Sequence, residues 1–306
     1  MTDKQHPSRF ATNAVHSGTQ HIGDAVNTPI FQSSTYKLTD ERYAGWAAGA
    51  QHTLLYARLS TVNSDAVAQK LMALEGGEDA ETFSSGMGAI SATLMALLNQ
   101  GDHMVASADI YGGTYGLLTE EFPRFGISTT MADMRDPASY EAAIQDNTKL
   151  LYIETLTNPV LKVCDIEAMA DVAKRHNLLL LIDNTFASPW GCKPLDMGVD
   201  LVLHSTTKYL GGHSDILGGA VVGSKDLIAQ IFMRKVHFGA APDPHSCYLL
   251  ERGMRTLDVR MPRICENAHL LAQRLEGHDA IERVYHSKLE SHPDFEIAER
   301  MLPRGS

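Results

Sequence analysis

Positive charge is in short supply in this sequence: 26 Lys and Arg against 37 Asp and Glu, for a net charge of −11. Affinity for nucleic-acid backbones and for anionic lipid surfaces rests on Lys and Arg, so neither nucleic acid nor membrane is expected as a partner. Long apolar runs are also missing. The longest, Leu178 to Ile182, is far too short to span a bilayer. The opening segment, Met1 to Phe10, is polar and unlike a signal peptide, which makes the cytoplasm the expected location. There are only four cysteines, Cys164, Cys192, Cys247 and Cys265, and no Cys-x-x-Cys pair. Reduced thiols are expected rather than a disulfide frame. The 14 histidines contain no His-Glu-x-x-His and no tight pair flanked by carboxylates, so no metal is expected. No Walker loop is present. Gly86-Met87-Gly88 does not complete a dinucleotide fingerprint, because Ser91 stands where the last glycine would be. A nicotinamide dehydrogenase is accordingly the weakest of the enzyme readings.

The chain does have ample apolar content. Of its 306 residues 44% are hydrophobic and 21% charged, and it contains no low-complexity stretch or internal repeat. Such a chain buries a large core rather than remaining disordered. The sequence divides into an N-terminal arm (1–55), a large domain (56–250), and linking helices with the start of a further domain (251–306). The arm reads as irregular, rich in Thr, Ser, Gly, Asn and Gln, with Pro29 and Gln32-Ser33-Ser34-Thr35 in an extended segment or loop. From Ser64, apolar residues at helical spacing (Val67, Leu71, Leu74) predict a helix capped by Ser64. A second helix is predicted over Gly86 to Leu98.

Short apolar runs then alternate with helical stretches. Met104 to Ala106, Leu150 to Ile153, Leu178 to Ile182 and Leu201 to Leu203 read as strands. Pro137 to Ile144, Ile166 to His176, Cys247 to Leu257 and Arg263 to Leu275 read as helices. This is the pattern of an α/β protein with a mostly parallel sheet covered by helices. In such sheets ligands sit beyond the carboxyl ends of the strands. That rule points to Glu154 to Asn158, Asp183-Asn184 and His204 to Lys208.

Those segments hold reactive groups, each with a plain alternative. Lys208 follows a buried strand and precedes Gly211-Gly212; an amine there suits Schiff-base chemistry, or is simply a solvated surface lysine. Ser205 and Thr207 are spaced to point the same way and could bond a phosphate. Asp183 ends a buried strand, where a carboxylate needs a partner such as a protonated pyridine nitrogen, or caps the next turn. It lies 25 residues before Lys208, about one strand-helix unit, which places both groups at the same sheet edge. Asn158 could bond a phenolic oxygen, or form an ordinary Asn-Pro turn. Ser84-Ser85-Gly86-Met87-Gly88 opens a helix and could cradle a phosphate, or merely start the helix. Tyr111, beside Gly112-Gly113, could stack on a flat ring and transfer protons, or pack in a loop. Tyr56 and Arg58 form a Tyr-x-Arg pair that could grip a phosphate, or lie in an ordinary loop.

Together, Ser84-Ser85-Gly86-Met87-Gly88, Tyr111-Gly112-Gly113-Thr114, Glu154-Thr155-Leu156-Thr157-Asn158-Pro159, Asp183-Asn184-Thr185-Phe186 and Ser205 to Asp215 resemble the Cys/Met-metabolism family of pyridoxal-phosphate (PLP) enzymes, from about Ala14 to the end of the chain. The resemblance implies the aspartate-aminotransferase-like fold, fold type I, with PLP as cofactor. It implies that Lys208 is the Schiff-base lysine and Asp183 the partner of the pyridine nitrogen. Asn158 would contact the ring hydroxyl, and Gly86, Met87, Ser205 and Thr207 would hold the phosphate. Tyr111 would stack on the ring and serve in proton transfer. Tyr56 and Arg58 would reach the phosphate in a neighbouring subunit of a homodimer or homotetramer.

The implied activity is γ-elimination or γ-replacement on sulfur amino acids or homoserine esters, of the cystathionine γ-lyase or γ-synthase type. The alternatives are β-elimination, as in cystathionine β-lyase, and a PLP-binding chain that catalyses nothing. Three departures stand out. The family's Tyr-Ser-Arg is usually followed by Gly-Asn-Pro-Thr, whereas Tyr56-Ala57-Arg58 is followed by Leu59-Ser60-Thr61-Val62-Asn63. Methionine γ-lyases carry a Cys after the active-site tyrosine where this chain has Gly113, which points away from dedicated methionine γ-lyase activity. The sequence stops at Ser306, near the expected start of an incomplete C-terminal domain, so no arginine is assigned to the substrate carboxylate.

Overall fold

The computed structural model describes residues 7–50 and 52–305. The first six residues of the polar opening segment, Gln51 and the terminal Ser306 lie outside the described residues. Seven strands follow in chain order: β1 (Asp79–Phe83), β2 (His103–Ser107), β3 (Ser128–Ala132), β4 (Thr148–Glu154), β5 (Leu179–Asp183), β6 (Leu201–His204) and β7 (Gly219–Gly223). The helices are α1 (Pro7–His16), α2 (Asp40–Ala47), α3 (Val62–Glu75), α4 (Gly86–Leu97), α5 (Gly112–Gly116), α6 (Pro137–Ala142), α7 (Ile166–Arg175), α8 (Ser188–Gly191), α9 (Lys225–Phe238), α10 (Pro244–Met254), α11 (Leu257–Glu276) and α12 (Phe295–Met301). The chain forms two compact units, Met1–Leu97 with Leu203–Leu257, and Leu98–Val202 with Asp258–Ser306.

In the first unit β1 pairs antiparallel with β7, from Asp79 opposite Gly223 to Phe83 opposite Gly219, and β6 lies on the other side of β7. Helix α3 starts two residues before the Ser64 cap read from the sequence. Thr61 is extended (φ −131°, ψ 157°), and its hydroxyl accepts the Ser64 N–H at 3.0 Å. Ser64 Oγ in turn accepts the Thr61 N–H at 2.9 Å. This is a reciprocal capping box in which Ser64 is the third residue rather than the cap. Thr61→Ala removes that acceptor and is expected to lower stability by about 1 kcal/mol in a urea titration. The arm is less irregular than its composition suggests. Helix α1 buries Phe10 and Ala14. It is tied down by the buried Lys70 of α3, whose Nζ donates to the carbonyls of Ala14 (3.0 Å) and Val15 (3.3 Å). Burial pulls the Lys70 amine down to about 8.

In the second unit the order is β5-β4-β2-β3, with every pairing parallel. The strands read as apolar runs are β2, β4, β5 and β6, each found within two residues of its expected bounds. A large core forms against the sheet from Val105, Leu151, Ile153, Leu180 and Ile182, packed with Met169 and Val172 of α7 and Met301 of α12. Helix α11 runs from Leu257 straight through Pro262, so it begins six residues before the expected Arg263. No helix among the described residues is long and apolar enough to cross a membrane.

Candidate active site

In the first unit, backbone packed on backbone shapes the surroundings of Lys208. The chain leaves β6 through Ser205-Thr206-Thr207 into a turn. There the Lys208 N–H donates to the Ser205 carbonyl (3.2 Å) and the Gly212 N–H to the Lys208 carbonyl (2.7 Å). Thr206 is buried, while Lys208 is exposed. The Thr207 hydroxyl accepts the Gly218 N–H at 3.1 Å, which closes the turn onto the residue before β7. Helix α4 points its first turn at the same place. A Cβ added at Gly86 would lie 2.9 Å from Cβ and 3.0 Å from Oγ of Ser205. Only glycine allows this approach, which sets the Ser205 hydroxyl against the helix N-terminus. A side chain at Gly219 would likewise run into the Ser85 carbonyl. Ser85 Oγ accepts the Gly88 N–H (3.0 Å) and the Ser84 N–H donates to the Ala240 carbonyl (2.8 Å), so the turn into the helix is held from both sides.

The amides of Gly86 and Met87 come before the first intrahelical acceptors. With the Ser205 hydroxyl they make a site for an oxyanion at the positive end of a 12-residue helix. At the base of the Lys208 segment, His204 Nε2 and Glu75 Oε1 of α3 are 2.6 Å apart with both side chains fully buried. Tyr56 and Arg58 sit on the loop before α3, and both are exposed. Arg58 lies over the Tyr56 ring at 5.5 Å and donates from Nη1 to the Val236 carbonyl at 2.5 Å. The same loop is held by Lys235 of α9, whose Nζ donates to the Leu59 carbonyl (3.2 Å) and to Glu81 Oε1 of β1 (2.8 Å).

In the second unit, β4 and β5 end in register on a carboxylate each, with Glu154 opposite Asp183. Asp183 accepts the Thr185 N–H on Oδ1 (3.0 Å), and its carbonyl accepts the Thr155 N–H (3.1 Å). The neighbouring Asn184 is buried and fully used, with Oδ1 accepting from the Thr155 hydroxyl (2.7 Å) and Nδ2 donating to the Cys192 carbonyl (3.0 Å). Asn158 is exposed in the loop after β4. That loop is closed by the bridge between Leu156 and Val163 and by the Thr157 hydroxyl accepting the Lys162 N–H (3.0 Å). Tyr111 opens α5 with its ring half exposed, and its backbone N–H donates to Glu154 Oε1 at 2.7 Å. Burial first, and the Asp183 carboxylate second, raise the Glu154 carboxyl to about 8.

The first unit thus gathers Gly86, Met87, Ser205, Thr207 and Lys208, with Tyr56 and Arg58 on a loop anchored to α9. The second gathers Asp183, Asn158 and Tyr111 at the ends of its strands. Sequence reasoning named Glu154 and His204 only as members of strand-end segments, with no role of their own, and did not name Lys235. The signal for Glu154 was available, since it ends the apolar run Leu150 to Ile153 as Asp183 ends its own.

The family model of the Cys/Met metabolism PLP-dependent enzymes matches residues 11–306. A protein named L-methionine gamma-lyase from Porphyromonas gingivalis is 42% identical over 96% of this chain and 75% of its own length. The cystathionine gamma-lyase of Bacillus subtilis is 44% identical over 90% of this chain and 70% of its own length. Among solved structures, cystathionine gamma-lyase from Lactobacillus plantarum complexed with L-serine aligns with a TM-score of 0.89 at 38% identity, covering 96% of this chain and 75% of that one. A match of this extent means that the chain belongs to the Cys/Met metabolism PLP-dependent enzymes, a family that uses pyridoxal phosphate in the metabolism of cysteine and methionine.

Proposed function

We propose that the chain catalyses γ-elimination or γ-replacement on sulfur amino acids or homoserine esters, of the cystathionine γ-lyase or γ-synthase type, with Lys208 as the residue that holds pyridoxal phosphate. The observation that carries this reading is the meeting of the Lys208 turn with the first turn of α4. The fit there is steric as well as chemical: the place a Gly86 side chain would take is needed for Ser205, and two helix-end amides and a hydroxyl are directed at one small region. The Gly86 and Met87 amides and the Ser205 and Thr207 side chains would hold the phosphate.

Pyridoxal phosphate supplies a conjugated ring that takes up the electron pair released at the substrate α-carbon. Lys208 would hold the cofactor through its amine and would take the proton from the substrate α-carbon. Asp183 would pair with the ring nitrogen, Asn158 would bond the ring hydroxyl, and Tyr111 would pack on the ring and pass a proton. Tyr56 and Arg58 are exposed on a loop fixed by α9, which suits them to the phosphate of a neighbouring subunit in a homo-oligomer. Four buried free cysteines suit a reducing cytoplasm.

Gly86→Ala is expected to weaken pyridoxal phosphate binding about tenfold or more in an absorbance titration, by moving the helix-end amides away from Ser205. Incubation with cystathionine tests the reaction itself. Release of cysteine is the expected result, release of homocysteine would replace the γ-reaction with a β-lyase, and no turnover with cystathionine, methionine or a homoserine ester would leave a chain that binds the cofactor without catalysis.

A further inference from the structure

Two carboxyl groups end adjacent parallel strands on the same face of the sheet, and only Asp183 has a part in the chemistry above. Residues directly opposite in a parallel pair point the same way, so Glu154 and Asp183 are held side by side by the backbone of β4 and β5. Glu154 is almost wholly buried. It reaches 43 residues back along the chain to accept the Tyr111 N–H. That amide begins α5 at a residue with φ −48° and ψ 132°, and no side chain caps this end of the helix. Its bond to Glu154 therefore fixes where Tyr111 leaves the backbone.

We propose that Glu154 is a positioning residue of the cofactor site, which latches the Tyr111 segment to the end of β4 and ties the strength of that hold to the charge on the Glu154–Asp183 pair. This inference rests on the reading of Asp183 and Tyr111 as cofactor-facing residues. The groups facing Glu154 are Asp183 of β5, Asp109 on the segment leading to Tyr111, and the buried phenols of Tyr152 and Tyr140. The nearby cation, Lys162, is already engaged by Asp109 at 2.5 Å. Burial first, and then the Asp183 carboxylate, outweigh the Tyr111 N–H, which favours the ionised form, and raise the Glu154 carboxyl to about 8. A carboxyl raised in this way favours the closed arrangement below its ordinary titration range, and that advantage is lost as pH rises toward 8.

Hydrogen exchange of the Tyr111 amide segment in cofactor-free protein tests the latch without any appeal to activity. In the wild type, protection corrected for intrinsic exchange is expected to fall between about pH 5 and pH 8. Glu154→Gln keeps the carbonyl acceptor but cannot ionise, so its protection should be flat with pH. Glu154→Leu removes the acceptor and should lose about tenfold in protection at every pH. A Glu154→Gln profile that tracks the wild type, or full protection in Glu154→Leu, would overturn the proposal. Should Glu154→Leu fail to fold, the comparison of wild type with Glu154→Gln still decides the matter. Borohydride labelling of the wild-type holoenzyme separates the two layers. Label on Lys208 with unchanged exchange sinks the latch alone, while label elsewhere sinks the reading of the site on which it rests.

Discussion

Lys208→Ala is expected to lower turnover of any sulfur amino acid substrate by about 10³-fold or more while leaving the fold intact. The amine is given two jobs, holding the cofactor and moving the α-proton, and a proton-transfer group alone is worth roughly 10²–10⁴-fold. Alanine can do neither. The structural cost is small because the side chain is exposed and Lys208 joins the bonds of its turn through its backbone, with its N–H donating to the Ser205 carbonyl and its carbonyl accepting the Gly212 N–H. Stability should stay within about 0.5 kcal/mol of wild type, as for an exposed substitution away from packing. Steady-state assays of the variant, set beside urea titrations of both proteins, check the two halves of this expectation. Full activity with an intact fold would mean that another lysine holds the cofactor.

The largest effect on stability is expected away from the reacting groups, at Lys235. Its side chain is 2% exposed and that of Glu81 1%, with 2.8 Å between Nζ and Oε1. Lys235→Met keeps most of the volume but strands the Glu81 carboxylate in a dry interior, which is expected to cost about 3–5 kcal/mol. The sign of its pH dependence is fixed. The stranded carboxyl takes up a proton more readily when folded than unfolded, so the variant is least handicapped at low pH and loses stability as pH rises. Combining Lys235→Met with Glu81→Gln removes the lone charge and should recover much of the loss. Because Lys235 also holds the Leu59 carbonyl, the single variant should loosen the loop bearing Tyr56 and Arg58 and weaken cofactor binding as well. Urea midpoints at pH 5 and pH 8 for the two single variants and the double variant would show this pattern, and additive losses in the double variant would contradict it.

The same pair shows why part of the fold was hidden in the sequence. Strands β2, β4, β5 and β6 are short apolar runs, and their burial could be read directly. Strand β1 carries Glu81 and Thr82 in its middle, both buried, and reads as polar until Lys235 is known to reach it from 154 residues away. Strand β3, Ser128-Thr129-Thr130-Met131-Ala132, lacks the apolar density that marks a buried strand, and in strand β7 the short apolar run Ala220-Val221-Val222 is bounded by glycine on both sides. Helix α9 went unread for a related reason, since its Lys235 looks like a solvated residue. In the arm, α2 is set by Thr39, whose hydroxyl accepts the Arg42 N–H, and by Asp40 and Glu41 in its first turn, short-range signals that a compositional reading averages away.

The candidate site was more legible than the fold because strand ends are where reactive residues stand out. Lys208 and Asp183 both come after apolar runs: Asp183 is the last residue of β5, and Lys208 lies in the turn that follows β6. Glu154 obeys the same rule and heads one of the segments it points to, but only Asn158 of that segment was given a role. What the sequence could not give was contact at a distance, such as the Tyr111 amide on Glu154 or the crowding of Gly86 against Ser205, because both depend on how strands lie side by side.

The central claim, that Lys208 holds the cofactor, is tested most directly by reducing the pyridoxal phosphate-loaded protein with borohydride and mapping the labelled peptide. The account requires a visible absorption band that borohydride bleaches and a single label on the peptide containing Ser205 to Gly212, at Lys208. Absence of the band in protein supplied with the cofactor, or label on a different lysine, would contradict it.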